Sequence, residues 1–392
     1  MNWMEKELKS LRDVSLERIL HDNAPALDRP GYILRGNRLL LNLASNDYLG
    51  LAQHPAIVET IRESLLTEGV GSRASRLVTG NRTPYGKLEE ELSNWQHSEA
   101  SLVFANGYMA NTGVISALVG RDDVVFSDQL NHASIVDGIL LSRAEHARYR
   151  HNDMEHLRTL LQKYSHKRRK LIVTDAIFSM DGNVANLREL VALKQEYDAM
   201  LMVDEAHSGG IYGECGEGMC FHLGLQNEVD IHMGTFSKSF GVYGAYVCGS
   251  QTLIRYLINK ARPLIYSTAL PPSLIAGIST ALAIVQGEQW RRERLYALSD
   301  LFRSSLQNAG FNVGTGNSPI IPLIVGDNDT ALRFSRVLES NGIKTVAIRP
   351  PTVPNGTARI RFSLSAAHTE KELADAAAII CATGIQLGVL KP

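Results

Sequence analysis

The chain has 392 residues, 44% hydrophobic and 21% charged, with a formal net charge of −1. That length supplies a large core and two or three domains, while the near-neutral balance gives no electrostatic case for a nucleic-acid or anionic-membrane partner. No apolar stretch approaches the roughly 18 residues that span a bilayer, and the charges spread through MNWMEKELKSLRDVSLERIL (1–20) exclude a secretory signal.

Along the chain, the opening segment carries Met4, Leu8, Leu11, Ile19 and Leu20 among charges, the pattern of an amphipathic helix that packs against its own domain or a second subunit. Turn residues between Asn23 and Gly31, with Pro25 and Pro30, end it. From about residue 100, short apolar runs alternate with helical stretches such as 187–197: SLVF (101–104), DVVF (123–126), LIVT (171–174), LMVD (201–204), DIHM (230–233) and AYVC (245–248). Such runs predict α/β units on a mostly parallel sheet. After residue 270 the pattern changes to a long helical region over 271–309, strands near 320–325 and 358–364, and a helix around 329–341. The expected division is an N-terminal helical segment (1–45), a large α/β domain (46–285) and a smaller α+β C-terminal domain (286–392).

Several motifs fail on context. GVGSRA (69–74) has dinucleotide-like glycine spacing but follows a helical stretch instead of a strand, and GNRTPYGK (80–87) is only a distorted P-loop. The basic run HKRRK (166–170) reads as a solvated helix end or an attractor for a phosphate-bearing substrate. Cys215, Cys220, Cys248 and Cys381 are too few and scattered for a disulfide framework. They read as reduced thiols in a cytoplasmic location, with no metal site expected.

The chemistry concentrates where open α/β sheets hold their ligands, beyond the carboxyl ends of strands. Asp204 ends the run LMVD, with His207 three residues on; a carboxylate there caps a helix or needs a cation. GTFSKSFG (234–241) sets Lys238 among hydroxyls, after Thr235 and Ser237. FANGYMAN (104–111) passes through Gly107 into a helix near Tyr108, whose free N–H groups suit a phosphate, and DQLNHASI (128–135) places His132 similarly. A phosphate cradle, a carboxylate, an imidazole and an amine in this order match pyridoxal 5′-phosphate (PLP), in which a lysine binds the aldehyde and an acid partners the ring nitrogen.

Together, SNDYLGL (45–51), VDEAHSGG (203–210), TFSKSFG (235–241) and IYSTALPP (265–272) resemble the α-oxoamine synthase family over nearly the whole chain. The resemblance implies a fold type I PLP-dependent enzyme that condenses an amino acid with an acyl thioester and releases carbon dioxide. It assigns Lys238 to the PLP-bearing and catalytic amine, Asp204 to the ring nitrogen, His207 to the phenolic oxygen and His132 to stacking on the ring. Ser179 (in AIFSMDG, 176–182), Thr235 and Ser237 become further cofactor contacts, with Gly107 and Tyr108 on the phosphate side. Ser267 and Thr268 would reach the phosphate of a neighbouring subunit, which implies a homodimer. Asn46 and Arg361 would take the amino-acid carboxylate, and Thr352 would lie near the acyl substrate. The family's N-terminal substrate arginine falls on Arg18, with His21 close by. Within the family, AIRPPTVPNGTARIRFSLSAAH (347–368) resembles members that join L-alanine to a pimeloyl thioester, carried by coenzyme A or a carrier protein. Glycine with acetyl-CoA is the sister alternative, and a PLP-binding regulator without condensation activity the other. GSRASR (71–76) departs from the pattern, with Arg73 and Ala74 where relatives carry paired glycines.

Overall fold

The computed structural model describes residues 2–391, which divide into two compact units. One comprises Leu51–Phe178 and Val184–Arg292; the other comprises the chain up to Gly50, Ser179–Asn183 and the chain from Glu293.

The larger unit is built on seven strands: β1 (Ala100–Phe104), β2 (Val124–Asp128), β3 (Glu145–Tyr149), β4 (Lys170–Asp175), β5 (Met200–Asp204), β6 (Ile231–Thr235) and β7 (Ala245–Gly249). Their order is β1-β7-β6-β5-β4-β2-β3, and β7 alone runs antiparallel to its two neighbours. Every residue of β1, β2 and β6 is buried, which explains their unbroken apolar runs: a strand covered on both faces has no polar side to show. Edge strand β3, EHARY, is half exposed and charged, so no apolar run announces it.

Helices α1 (Gly107–Leu118) and α2 (Ala133–Ser142) belong to the same core, with Val114, Ile115, Ile135 and Ile139 clustering with Val125, Val173, Met202 and Met233. Each such fully buried aliphatic side chain contributes roughly 1.5–3 kcal/mol. A Cβ on Gly138 would stand 3.0 Å from Asn111 O, so glycine there sets how closely the two helices approach. The consequence for function is geometric. The segments following β1, β2, β4, β5 and β6 all emerge at the carboxyl edge of the parallel strands, carrying Asn106, His132, Asp175, Asp204 and Lys238.

The helical stretch expected over 271–309 is two helices, Pro272–Gly287 and Gln289–Asn308, broken at Glu288. Glu288 leaves helical geometry (φ −104°, ψ 63°), and its carboxylate receives Arg291 Nε at 2.6 Å.

In the smaller unit, Ala24–Pro25, Tyr32–Arg35, Arg38–Asn42 and Ile343–Lys344 form one sheet, and Ile320–Gly326, Ala358–Ser363 and Val346–Ile348 another. The N-terminal helix covers only Asn2–Asp13 and buries none of its residues. Ile19 and Leu20 lie beyond it and are exposed, because Ser15 turns the chain with a φ of 58°. The helix from Glu370 to Gln386 starts with a reciprocal cap between Thr369 and Glu372.

Just before that cap, His368 is fully buried and its Nδ1 accepts Ser365 N–H at 3.2 Å. Burial depresses its pKa to about 4, chiefly by desolvating the charged ring. The folded pKa lies below the unfolded value, so this residue's contribution is present above about pH 6.5 and lost as pH falls towards 4. Melting temperature should decline across that window, with roughly 3 kcal/mol at stake. A His368→Gln variant should show a visibly flatter profile of Tm between pH 6.5 and 4; an unchanged slope would contradict this account.

Candidate active site

Asp204 closes β5 and is buried. Its Oδ1 accepts Ala206 N–H at 2.9 Å, and its Oδ2 accepts Asn111 Nδ2 from α1 at 2.8 Å. The second hydrogen of that amide goes to Ser134 Oγ at 2.9 Å, and Ser134 Oγ stands 2.8 Å from His132 Nδ1. Ser134 N–H also points at His132 Nδ1 (3.3 Å), so Nδ1 is the acceptor and the ring's proton sits on Nε2. Carboxylate, amide, hydroxyl and imidazole thus form one directed network spanning β5, α1 and α2.

His132 is held from behind as well. Its backbone N–H donates to Asp175 Oδ2 at 2.8 Å, at the end of β4. Burial and the Asp204 carboxylate push the Asp175 pKa well above the usual range, which favours the protonated acid. Burial lowers the His132 pKa, opposed by Asp204 and reinforced by Lys238, so the imidazole is neutral at pH 7. A neutral flat ring suits stacking on an aromatic ligand.

The start of α1 forms the second part. Asn106 caps it, its Oδ1 accepting Met109 N–H at 2.9 Å, and Ala110 N–H bonds to Asn106 O at 3.0 Å. Among the described residues, the N–H groups of Gly107 and Tyr108 have no acceptor within the chain. A Cβ on Gly107 would stand 3.1 Å from Met233 Cε, so a larger residue would crowd this cradle. The Tyr108 hydroxyl donates to Asp137 instead of turning inward.

The third part is the loop after β6. Thr235 Oγ1 donates to Gly244 O at 2.8 Å and accepts Ser237 N–H at 3.2 Å. Gly241 N–H bonds to Lys238 O at 3.0 Å, closing a turn in which Gly241 has a φ of +65°. A Cβ at Gly241 would lie 2.4 Å from Ala52 N, which fixes the path of the segment carrying Lys238. Lys238 is half buried, and its charge acts on both His132 and Asp175. His207, the residue after Ala206, is buried in the loop that leaves β5. Ser267 donates to Pro263 O, and Thr268 is exposed.

In the smaller unit, the structure brings Arg361, Asn46 and Ser179 together. The buried Arg361 guanidinium donates to Ser179 O (2.6 Å), Ser363 Oγ (2.7 Å) and Asn46 Oδ1 (3.1 Å). Thr352 is exposed in the turn after Arg349, and Arg18 is exposed beyond the N-terminal helix. Asn111, Ser134 and Asp175 were missed in the sequence reading. Asn111 and Ser134 sit one helical turn or less inside FANGYMAN and DQLNHASI, and only the packing of α1 on α2 shows that they join Asp204 to His132.

A fold of this kind, with these groups at its carboxyl edge, defines a PLP-dependent transferase of fold type I. The aminotransferase class I and II family model matches residues 38–380, and the chain belongs to that family. Several relatives carry the name "Putative 8-amino-7-oxononanoate synthase". The one from Halalkalibacterium halodurans is 51% identical over 374 residues, covering 95% of this chain and 94% of the relative. The one from Geobacillus kaustophilus is 53% identical over 359 residues, covering 91% and 92%. Among solved structures, serine palmitoyltransferase from S. paucimobilis with bound PLP and myriocin superposes with a TM-score of 0.93 at 31% identity, covering 99% of this chain and 98% of that one. The 8-amino-7-oxononanoate synthase from Francisella tularensis gives 0.78 at 28% identity, covering 90% and 99%. The expectations of an α/β fold type I enzyme and of PLP as cofactor are borne out.

The donor set fits that cofactor. Two free N–H groups at the start of a 12-residue helix suit a phosphate, and a buried carboxylate held by two N–H donors suits a protonated ring nitrogen. Asn111 Oδ1, buried without a partner, marks a polar surface beside that carboxylate. Removing the amide tests the network: Asn111→Ala should weaken PLP binding about tenfold, the order expected for a hydrogen bond to a charged group. Titration of the apoenzyme followed by cofactor absorbance measures it, and an unchanged affinity would show that Asn111 does not support the site.

Proposed function

We propose that this protein condenses L-alanine with a pimeloyl thioester, releasing the thiol and carbon dioxide and giving 8-amino-7-oxononanoate, a step of biotin biosynthesis. The observation that carries the reading is the set of groups at the carboxyl edge of the sheet, in a chain about half identical to relatives of that name. Bound PLP supplies an electron sink for the amino acid's α-carbon. Each protein group then has a distinct task.

The Lys238 amine holds the cofactor at rest and, once released, takes the proton from the alanine α-carbon. Lys238 is flanked by Ser237 and Ser239, and small neighbours leave its long side chain room to move between these tasks. Asp204, fixed by Asn111 and Ala206, partners the ring nitrogen, and His207 serves the ring oxygen. His132, neutral and held at both ends, stacks on the ring and excludes water from one face. The N–H groups of Gly107 and Tyr108 take the phosphate, with Thr235, Ser237 and Ser179 as further contacts. Ser267 and Thr268 complete the phosphate site in a homodimer. Arg361, with Asn46, takes the substrate carboxylate, and Thr352 and Arg18 face the acyl donor. Loss of carbon dioxide after carbon–carbon bond formation leaves a site that Lys238 can reprotonate.

A second reading, serine with a long-chain acyl-CoA, has the 0.93 superposition on serine palmitoyltransferase in its favour. Thiol release separates the readings. L-alanine, glycine and L-serine are each paired with pimeloyl-, acetyl- and palmitoyl-CoA. Release with alanine and pimeloyl-CoA is expected; preference for glycine with acetyl-CoA, or serine with palmitoyl-CoA, would reassign the substrates. Lys238→Ala should lower turnover by at least 10³-fold, and sustained multiple turnover by that variant would remove the amine from the mechanism.

A further inference from the structure

On β6, Ile231 and Met233 turn towards the core shared with α1, so strand alternation turns His232 to the opposite face of the sheet. There it meets Glu205, from the loop after β5, and Cys220, from the short helix Met219–His222. The ligand atoms of the three side chains all lie within 4.8 Å of one another, and each residue is at most 3% exposed. The spacing of the cysteines along the chain gave no reason to expect a metal, because these donors come from three elements that the fold brings together.

The His232 ring is oriented for coordination. Its Nε2 stands 2.9 Å from Gln226 O and donates its proton there, which leaves the Nδ1 lone pair turned towards the cluster. Nδ1 is buried without a hydrogen-bond partner. It faces Glu205 Oε2 at 3.6 Å, too far for a hydrogen bond. Two ligand atoms on one tetrahedral ion, each about 2.1 Å from it, stand roughly 3.4 Å apart, so this separation suits an ion held between them. Glu205 Oε1 is fixed by Cys220 N–H at 2.9 Å, and among the described residues no Lys or Arg pairs with this carboxylate. Burial, and after it the Glu205 carboxylate, push the Cys220 thiol pKa well up; a coordinated cation reverses that preference and holds the thiolate.

We propose that Glu205, Cys220 and His232 bind one Zn²⁺ ion. A thiolate, an imidazole and a carboxylate are ligands of the types zinc takes, and the thiolate and carboxylate together balance its charge. Binding breaks the Cys220 S–H bond and forms a sulfur–zinc bond; the proton leaves to solvent, and nothing is oxidised or reduced. The Tyr246 hydroxyl is buried without a partner, and burial and then Glu205 raise its pKa, so it stands near enough to serve as a fourth ligand. Donors this deeply buried admit no substrate, so the ion is structural. It ties the segment after Asp204, which carries His207, to the strand that leads to Thr235 and Lys238.

The test is the zinc content of the untagged, PLP-loaded enzyme, expressed with added zinc, washed with chelator and measured by elemental analysis. The parent should retain about one zinc per chain, and Cys220→Ser and His232→Gln at least tenfold less. Cys215→Ser, whose side chain lies outside the cluster, should retain zinc as the parent does. Protein expressed with cobalt should show the visible d–d bands of a tetrahedral thiolate site, at wavelengths longer than the cofactor absorbs, and Cys220→Ser should lack them. Melting gives an independent readout: zinc should raise the Tm of the parent and leave that of Cys220→Ser unchanged. No retained zinc in the parent would overturn the inference whether or not the variants fold. Equal retention by Cys220→Ser, or an equal loss in Cys215→Ser, would overturn it as well, and a different metal held by these residues would overturn the assignment of the ion.

Discussion

Everything at the carboxyl edge of the sheet depends on one buried carboxylate being held in place. Asp204 sits where a parallel strand ends, out of water, and an ionised carboxylate there is tolerable only if its oxygens are bonded. One oxygen is satisfied by the backbone of the next turn, the other by an amide from α1. That amide has a second hydrogen, and its use on Ser134 ties the carboxylate to His132. The positions of the acid and the imidazole are therefore not independent.

The same economy of donors organises the surroundings. Asp175 lies directly opposite Asp204 in the β4–β5 register, and two adjacent carboxylates in low dielectric resist double ionisation. The pair resolves this unequally. Asp204 faces fixed donors, while Asp175 is driven towards its protonated form and accepts the backbone N–H of His132. Glycines set the remaining distances. Gly138 lets α1 and α2 approach, and Gly241 lets the Lys238 turn pass the chain at Ala52.

The smaller unit follows a different logic. Arg361 is buried, and its guanidinium is saturated by a carbonyl, a hydroxyl and a side-chain amide instead of by an acid. Its charge is therefore not neutralised by those partners. The arrangement arises because arginine stays charged at any ordinary pH and accepts neutral oxygen partners readily.

The sequence by itself determined the parallel α/β core, because strands buried on two faces must be apolar throughout, and runs such as SLVF and LMVD have no other use. It determined the polar residues at the strand ends too, since a lysine, a carboxylate and a glycine-led helix start are legible from local spacing. It could not show β3, whose charged alternation belongs to an edge, nor the end of the first helix at Asp13, where Ser15 takes a left-handed φ of 58°. Only the tertiary structure decided that Asn111 and Ser134 connect Asp204 to His132, and that Arg18 and Arg336 lie near Arg349. They include pairs as far apart as 93 positions, for Asn111 and Asp204, and more than 300, for Arg18 and Arg349. Local periodicity carries burial and turn chemistry; it carries no information about which distant donor meets which acceptor, because that is fixed by how helices and sheets pack.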